Sequence, residues 1–438
     1  MTTPPKAGAD TIIPERAPGL GVAMRYFSAG LLFLAALLGV AIWKAPMLVN
    51  DYLHNPATLM LTHLFTLGFG GTVVTGAVYQ MAPVLLYSRL RSEMAANVHL
   101  GLHVVGVCAM VLGFLWADTI WVATGGTLVA LGGVLFLVNM VPTFRAVERW
   151  NWHGAWMAAA VLYYAITLSW GLTMAFNQRY GFIGEVEGAW LSSHLALGLG
   201  GWFSLMIIGV GLKLVPMFAP AKSLPPNFVA GTGGALATAV LLIFAGLFLS
   251  RVLVGVGLAV AVAALIAYVG GIVYAFRHRR PGPLDFSVRY AVTAGGALIL
   301  SLAVAVPGLL GIWSSRPLNA GLTLFVALAF IGGTIMGMLL RIIPFMVWLH
   351  RFRNRTHKLE KIPFLHEMSQ PRFGWTTYWT WFPGTLVMAV GLSLKLAPVL
   401  ALGAAVVLAG LVAYAWAIRQ VLYHVPPGTP ALFPGKKA

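Results

Sequence analysis

Gly68-Phe69, then Gly76 after six residues, Gln80 after three more and Pro83 after two more, form a pattern around which the chain is organised. The same spacing returns as Gly201-Trp202, Gly209, Lys213 and Pro216, and again as Ala329-Phe330, Gly337, Arg341 and Pro344. The three prolines are 133 and 128 residues apart. Each copy sits in an apolar run, and four such runs fill each interval, so the repeating unit is four runs, used three times. A repeat at a fixed period is a statement about architecture. A small residue beside an aromatic, followed by a second glycine, lets neighbouring backbones approach closely at two levels. A polar side chain one turn before the proline can snorkel toward the membrane surface. Read as packing, the pattern closes and terminates a long central helix; read as function, it lines three quasi-equivalent channels. Lys213 and Arg341 read most simply as interface anchors.

Composition places these runs in a bilayer. Of 438 residues, 59% are hydrophobic and 9% charged, where soluble domains carry about 25% charged residues. A water-soluble globule is therefore excluded. The net charge of +17 would suggest nucleic acid in a soluble chain, but here it belongs to loops between spans. A single cysteine, Cys108, rules out a disulfide framework and a Cys-ligated cluster. Crossing about 30 Å of hydrocarbon takes roughly 20 apolar residues. Uncharged runs lie at 26–43, 56–88, 94–117, 119–144, 150–178, 188–212, 223–250, 252–276, 290–315, 317–340, 374–394 and 396–418. The expectation is an all-α polytopic membrane protein of twelve transmembrane helices, with the three motif-bearing helices (the second, sixth and tenth) innermost among three pseudo-symmetric four-helix arcs. Residues 1–24 read as a disordered cytoplasmic tail, 25–422 as the membrane domain and 423–438 as a second cytoplasmic tail. The first run reads as a span and not as a cleavable leader.

Orientation follows from the basic residues. With the N-terminus inside, 23 of the 28 Lys and Arg fall on the cytoplasmic side. Only Lys44, Arg179, Arg251, Arg316 and Lys395 fall outside. The chain therefore reads as integral to a cytoplasmic membrane, with both ends inside. Trp43, Trp116, Trp150, Trp190, Trp348 and Trp375 mark the interfaces.

Twelve helices in three arcs, with His63-Leu64 leading to Pro83 and His194-Leu195 leading to Met217, resemble the heme–copper oxidase subunit I superfamily. The likeness is to the branch of cb-type oxidases and nitric oxide reductases, and it covers residues 25–422. It implies that His63 is an axial ligand of a low-spin heme b, and that His194 occupies the position of the first copper ligand. Other family histidines have no counterpart: residues 223–276 and 317–349 contain none, and Gly198 stands where a tyrosine would follow His194. The resemblance thus implies the scaffold, a role in electron transfer and partner subunits of a redox or respiratory kind. It does not imply a complete oxygen- or nitric-oxide-reducing centre.

The ionisable residues sharpen this. All eleven Asp and Glu lie in tails, loops or run ends, which disfavours a carrier built on intramembrane carboxylates. His63 and His194 lie 13 and 15 residues before their shared glycines, so their depths differ by about 3 Å and one cofactor can reach both. Imidazole is a usual ligand of heme iron and of copper; the bland alternative is a hydrogen bond to a neighbouring backbone. His99 and His103 share a helix face and are expected near the cytoplasmic end, at the opposite membrane face from His63, as an interfacial hydrogen-bonding pair or a weaker metal site. His153 reads as part of the interfacial belt. His350, His357 and His366 fall in a basic segment, 350–373, suited to a partner or anionic lipid. Two functions stand: an oxidase-like heme protein in electron transfer or small-gas handling, and a cofactor-free structural, assembly or conduit subunit on the same scaffold. Nothing points to nucleic acid.

Overall fold

The computed structural model describes residues 18–50, 55–184, 187–282, 284–352 and 363–423. Among them twelve long helices and no strand are found: α1 Leu20–Trp43, α2 Pro56–Leu85, α3 Glu93–Trp116, α4 Thr119–Arg145, α5 Trp152–Tyr180, α6 Glu187–Phe218, α7 Pro226–Leu249, α8 Arg251–Arg277, α9 Phe286–Leu309, α10 Arg316–Phe352, α11 Pro371–Ser393 and α12 Ala397–Leu422. Eleven of these are long and apolar enough to cross a membrane; α11, rich in Trp, Tyr and Thr, is the exception. The protein is an integral multi-pass membrane protein by this measure. In hydrocarbon every backbone polar group must be satisfied within its own segment, which leaves the helix as the available form. Polar residues at the run ends start the helices: Asn55, Ser92, Asp118, Asn151, Ser250, Asp285 and Ser315 each accept a hydrogen bond from a first-turn N–H.

Several helix ends differ from the boundaries expected at charged residues. Helix α1 begins at Leu20, and Leu20 to Met24 are buried, so residues 20–24 belong to the membrane domain and not to a tail. Tail residues 1–17 and 424–438 lie outside the described residues. Helices α6 and α10 run on through Lys213 and Arg341. Arg341 pairs with Asp285, the cap of α9, at 3.0 Å.

The three motif-bearing helices are the most buried. Over an apolar 18-residue stretch of α2, α6 and α10, 56, 67 and 72% of residues are buried, against at most 44% in the other eight helices long and apolar enough to cross a membrane. Each is interrupted at the same place by a π-helical bulge: Leu64–Gly71, Ala196–Ser204 and Val326–Gly332. Each packs against the first helix of its own four-helix unit in one way. At the first motif position a methyl on Gly68 would lie 2.9 Å from Phe33 of α1, and one on Gly201 would lie 2.5 Å from Tyr163 of α5. At the second, Gly76 abuts Tyr26, Gly209 lies 3.1 Å from Trp156 by the same measure, and Gly337 abuts Tyr290. The partners on α1 and α5 are seven residues apart, Tyr26/Phe33 and Trp156/Tyr163. Seven residues beyond Tyr290 is Ala297, buried in one cluster with Ala329. Where the third unit has Ala in place of the motif glycine, it also has Ala in place of the opposing aromatic.

The most extensive helix pairings are the hairpins α3/α4, α7/α8 and α11/α12. Their closeness has a common cause. Gly106, Gly113 and Gly125 meet backbone across the first hairpin, and Gly384, Gly391 and Gly403 do so across the third. Gly246 and Gly257 serve the second, where Gly257 faces the Ala239 carbonyl. Successive units join through α4/α5 and α8/α9, and α12 returns to α1.

Candidate functional site

His63 is the last residue of the α-helical turns before the first bulge, and His194 lies two residues before the second. The third helix has Phe325 at this place. A π turn closes i to i+5 and admits an extra residue, which turns the helix beyond it by about 100°. The bearing of each imidazole relative to the motif glycine beyond its bulge is therefore not that of a straight α-helix.

His63 is half-buried, and its Nδ1 donates to the Leu59 carbonyl at 2.8 Å. That bond fixes the tautomer and leaves Nε2 with a bare lone pair, the arrangement a metal-binding imidazole usually has. One face of the ring lies against Phe114 of α3, with centroids 5.1 Å apart. His194 lies within electrostatic range of His63 and hydrogen-bonds the Thr167 backbone of α5. A methyl on Gly171, one turn further along α5, would stand 2.7 Å from its Cε1. Its Nδ1 is buried and has no hydrogen-bond partner. The structure thus places the two imidazoles within electrostatic range of each other, each beside a bulge. As donors the residues would fit a heme: one imidazole has its tautomer fixed and the other has a buried Nδ1 without a hydrogen-bond partner. Among the described residues no three His, Cys, Asp or Glu side chains gather as a metal site would require.

His99 and His103 sit elsewhere than expected. Both have zero exposure, and His103 Nε2 donates to the Leu67 carbonyl inside the first bulge at 3.0 Å. Leu67 is only four residues inward of His63, about 6 Å along the helix. The pair is therefore neither interfacial nor at the opposite membrane face. The bulge presents the Leu67 carbonyl sideways, where it also accepts from Thr72 Oγ1 at 3.0 Å. His99 Nδ1 contacts Tyr26 Oη at 2.9 Å and Tyr79 Oη at 3.1 Å, while Tyr26 itself donates to Ala96 O at 2.7 Å. With the Tyr26 proton committed, His99 Nδ1 is the donor of that contact. The hydrogen-bonding reading of this pair describes its geometry.

Around the pair lies an aromatic cluster that sequence reasoning missed. Phe136 of α4 touches the rings of His99, Tyr79, Tyr164 and Trp202 at centroid distances of 5.5, 5.2, 5.7 and 6.5 Å. His99 Nε2, His103 Nδ1, Tyr164 Oη and Trp202 Nε1 carry no hydrogen bond. Asn139, one turn beyond Phe136, is fully buried and holds Ser92 reciprocally, accepting from its N–H at 3.0 Å and donating to its carbonyl at 2.7 Å. A lone Asn in the apolar run 119–144 was the available signal.

Of the remaining histidines, His153 is half-buried and donates from Nδ1 to Gly209 O at 2.9 Å, tying α5 to the second motif glycine of α6. His350 is exposed in the last turn of α10. His357 and the side chain of His366 lie outside the described residues. No family model and no curated protein matches this chain.

Proposed function

We propose that this chain is an oxidase-like membrane heme protein that works in electron transfer or small-gas handling and lacks a complete binuclear centre. In this reading α11 is a twelfth crossing, the four-helix units form three pseudo-symmetric arcs, and both termini are cytoplasmic. The observation that carries it is the His63–His194 pair. The Leu59 carbonyl holds the His63 proton on Nδ1, so that Nε2 keeps its lone pair for a metal. Gly171 leaves room for the His194 ring, whose Nδ1 is unspent. Phe114 covers one face of His63 and limits water there. A heme bound there would supply one-electron chemistry if both imidazoles held it, and gas binding as well if only one of them did. Copper at His194 has weaker support, since no further ligands of the usual types gather among the described residues.

The test is the absorption spectrum of the purified protein, oxidised and dithionite-reduced. A heme Soret band that is lost or shifted in His63→Ala and kept in His99→Ala supports the proposal. A colourless protein from heme-replete cells turns it to the cofactor-free scaffold. That second reading has its own observation: His99 and His103 show that imidazoles in this fold serve as hydrogen-bonding struts.

A further inference from the structure

The three innermost helices do not pack solidly where they meet. Just inward of the bulges, at the level of Gly76, Gly209 and Gly337, they leave a partly open gap of about 90 Å³ between α2, α6 and α10, with Met157 of α5 on one side. Ala77, Met206, Val210 and Met338 are among the residues facing it, and every lining side chain but one is apolar. The exception is Thr334, whose Oγ1 donates to the Phe330 carbonyl at 2.7 Å, so its proton is spent. Gln80, Lys213 and Arg341, the polar members of the repeat, do not line it.

From this geometry we infer that the gap is a dry binding site for one small, uncharged, nonpolar molecule of the size of a diatomic gas or a xenon atom. The argument is by partners and by size. A buried water needs two to four polar partners, and this wall supplies none with a free proton. An ion would lose its hydration with no compensating charge, since no carboxylate lies among the lining residues. The volume is several times the roughly 10–15 Å³ that one water requires, and smaller than the ~150 Å³ cavity known to take benzene or xenon. Thioethers are polarisable and adapt their rotamers, so Met157, Met206 and Met338 offer dispersion contact to whatever enters. A membrane interior, in which nonpolar gases dissolve readily, surrounds the site. The same apolar wall offers ions and water no partners at the junction of the central helices, which disfavours a polar conduit along it. This inference deepens the small-gas arm of the proposed function by naming where the gas rests.

The probe is xenon. Crystals pressurised with xenon should show an anomalous peak between Ala77, Val210 and Met338. In detergent, the ¹³C-methyl resonances of Met206 and Met338 should shift saturably on xenon titration, while exposed Met94 shifts linearly. Ala77→Phe should abolish the peak and the saturable shift. Ala77→Val, a smaller filling, serves if the first variant does not fold, and should weaken the binding. Ordered water in the gap, absence of a xenon peak there, or Met206 and Met338 shifts as linear as that of Met94 would each overturn the inference. The readout is independent of the heme reading: a colourless protein that binds xenon here removes the heme and keeps this site.

Discussion

Gly68→Ala and Phe33→Ala should each destabilise the protein, yet partly rescue one another when combined. The new methyl on residue 68 would lie 2.9 Å from Phe33 Cγ and 3.0 Å from its Cβ. The Cβ is fixed to the α1 backbone, so a rotamer change cannot clear the clash. Overpacking of this kind costs about 1–3 kcal/mol, offset by about 1 kcal/mol from the better helix propensity of alanine. The single variant should thus lose up to about 2 kcal/mol. Phe33 is 8% exposed, and its truncation should cost about 3–5 kcal/mol. In the double variant the methyl enters space the ring has left, so the two changes should couple favourably by about 1–3 kcal/mol. The third unit already carries this solution as Ala329 and Ala297. Gly101→Ala is the control, because its added methyl meets nothing within 4 Å and should stabilise by up to about 1 kcal/mol. Reversible unfolding in mixed micelles, followed by circular dichroism, measures all four. If Gly68→Ala proves as harmless as Gly101→Ala, or if the cycle is additive within about 0.5 kcal/mol, the close-approach account of the repeat is wrong.

Reporter fusions within 176–187 should report the outside and fusions after 423 the cytoplasm; a cytoplasmic signal from the first would reverse the orientation drawn from the basic residues. Asp285→Ala should lower the melting temperature more than Arg341→Met, because Asp285 accepts from Ser287 N as the α9 cap as well as from Arg341. The excess should be near the ~1 kcal/mol of a lost cap, and equal losses would mean that the ion pair alone matters. The single chain should show no steady oxygen or nitric oxide consumption on an electrode with a chemical reductant, even when heme is bound. Turnover abolished by His194→Ala would contradict this and point to metal ligands of another type.

Much of the candidate site was legible because ionisable residues are so few in the apolar runs. His63 and His194 stood out for that reason, and the structure brings them within range of each other. The depth of His103 was not legible. It rests on a hydrogen bond to Leu67, and that carbonyl turns sideways only because α2 carries a bulge there. The aromatic cluster around Phe136 draws rings from α2 to α6, residues up to 123 positions apart that share no local pattern. The hairpin glycines were present in the sequence at spacings of 7 and 11–12, but 50 glycines hid them.

By itself the sequence determined what the bilayer demands: long apolar helices, charges at their ends, and a fourfold-helix unit used three times with its small residues at fixed positions. Those follow from hydrocarbon thickness and from the cost of an unpaired peptide group in lipid, which act on each segment without reference to its neighbours. Tertiary structure decided what neighbours impose. Phe203 of α6 fills the space over Gly70 inside the first bulge, and Trp381 of α11 does the same at Gly332 in the third. Asp285 of α9 pairs with Arg341 of α10, and three helices meeting at the level of their glycines leave a gap none of them encodes alone. Contacts between distant segments exist only once the chain is folded, so bearing, depth and cavity belong to the packed molecule.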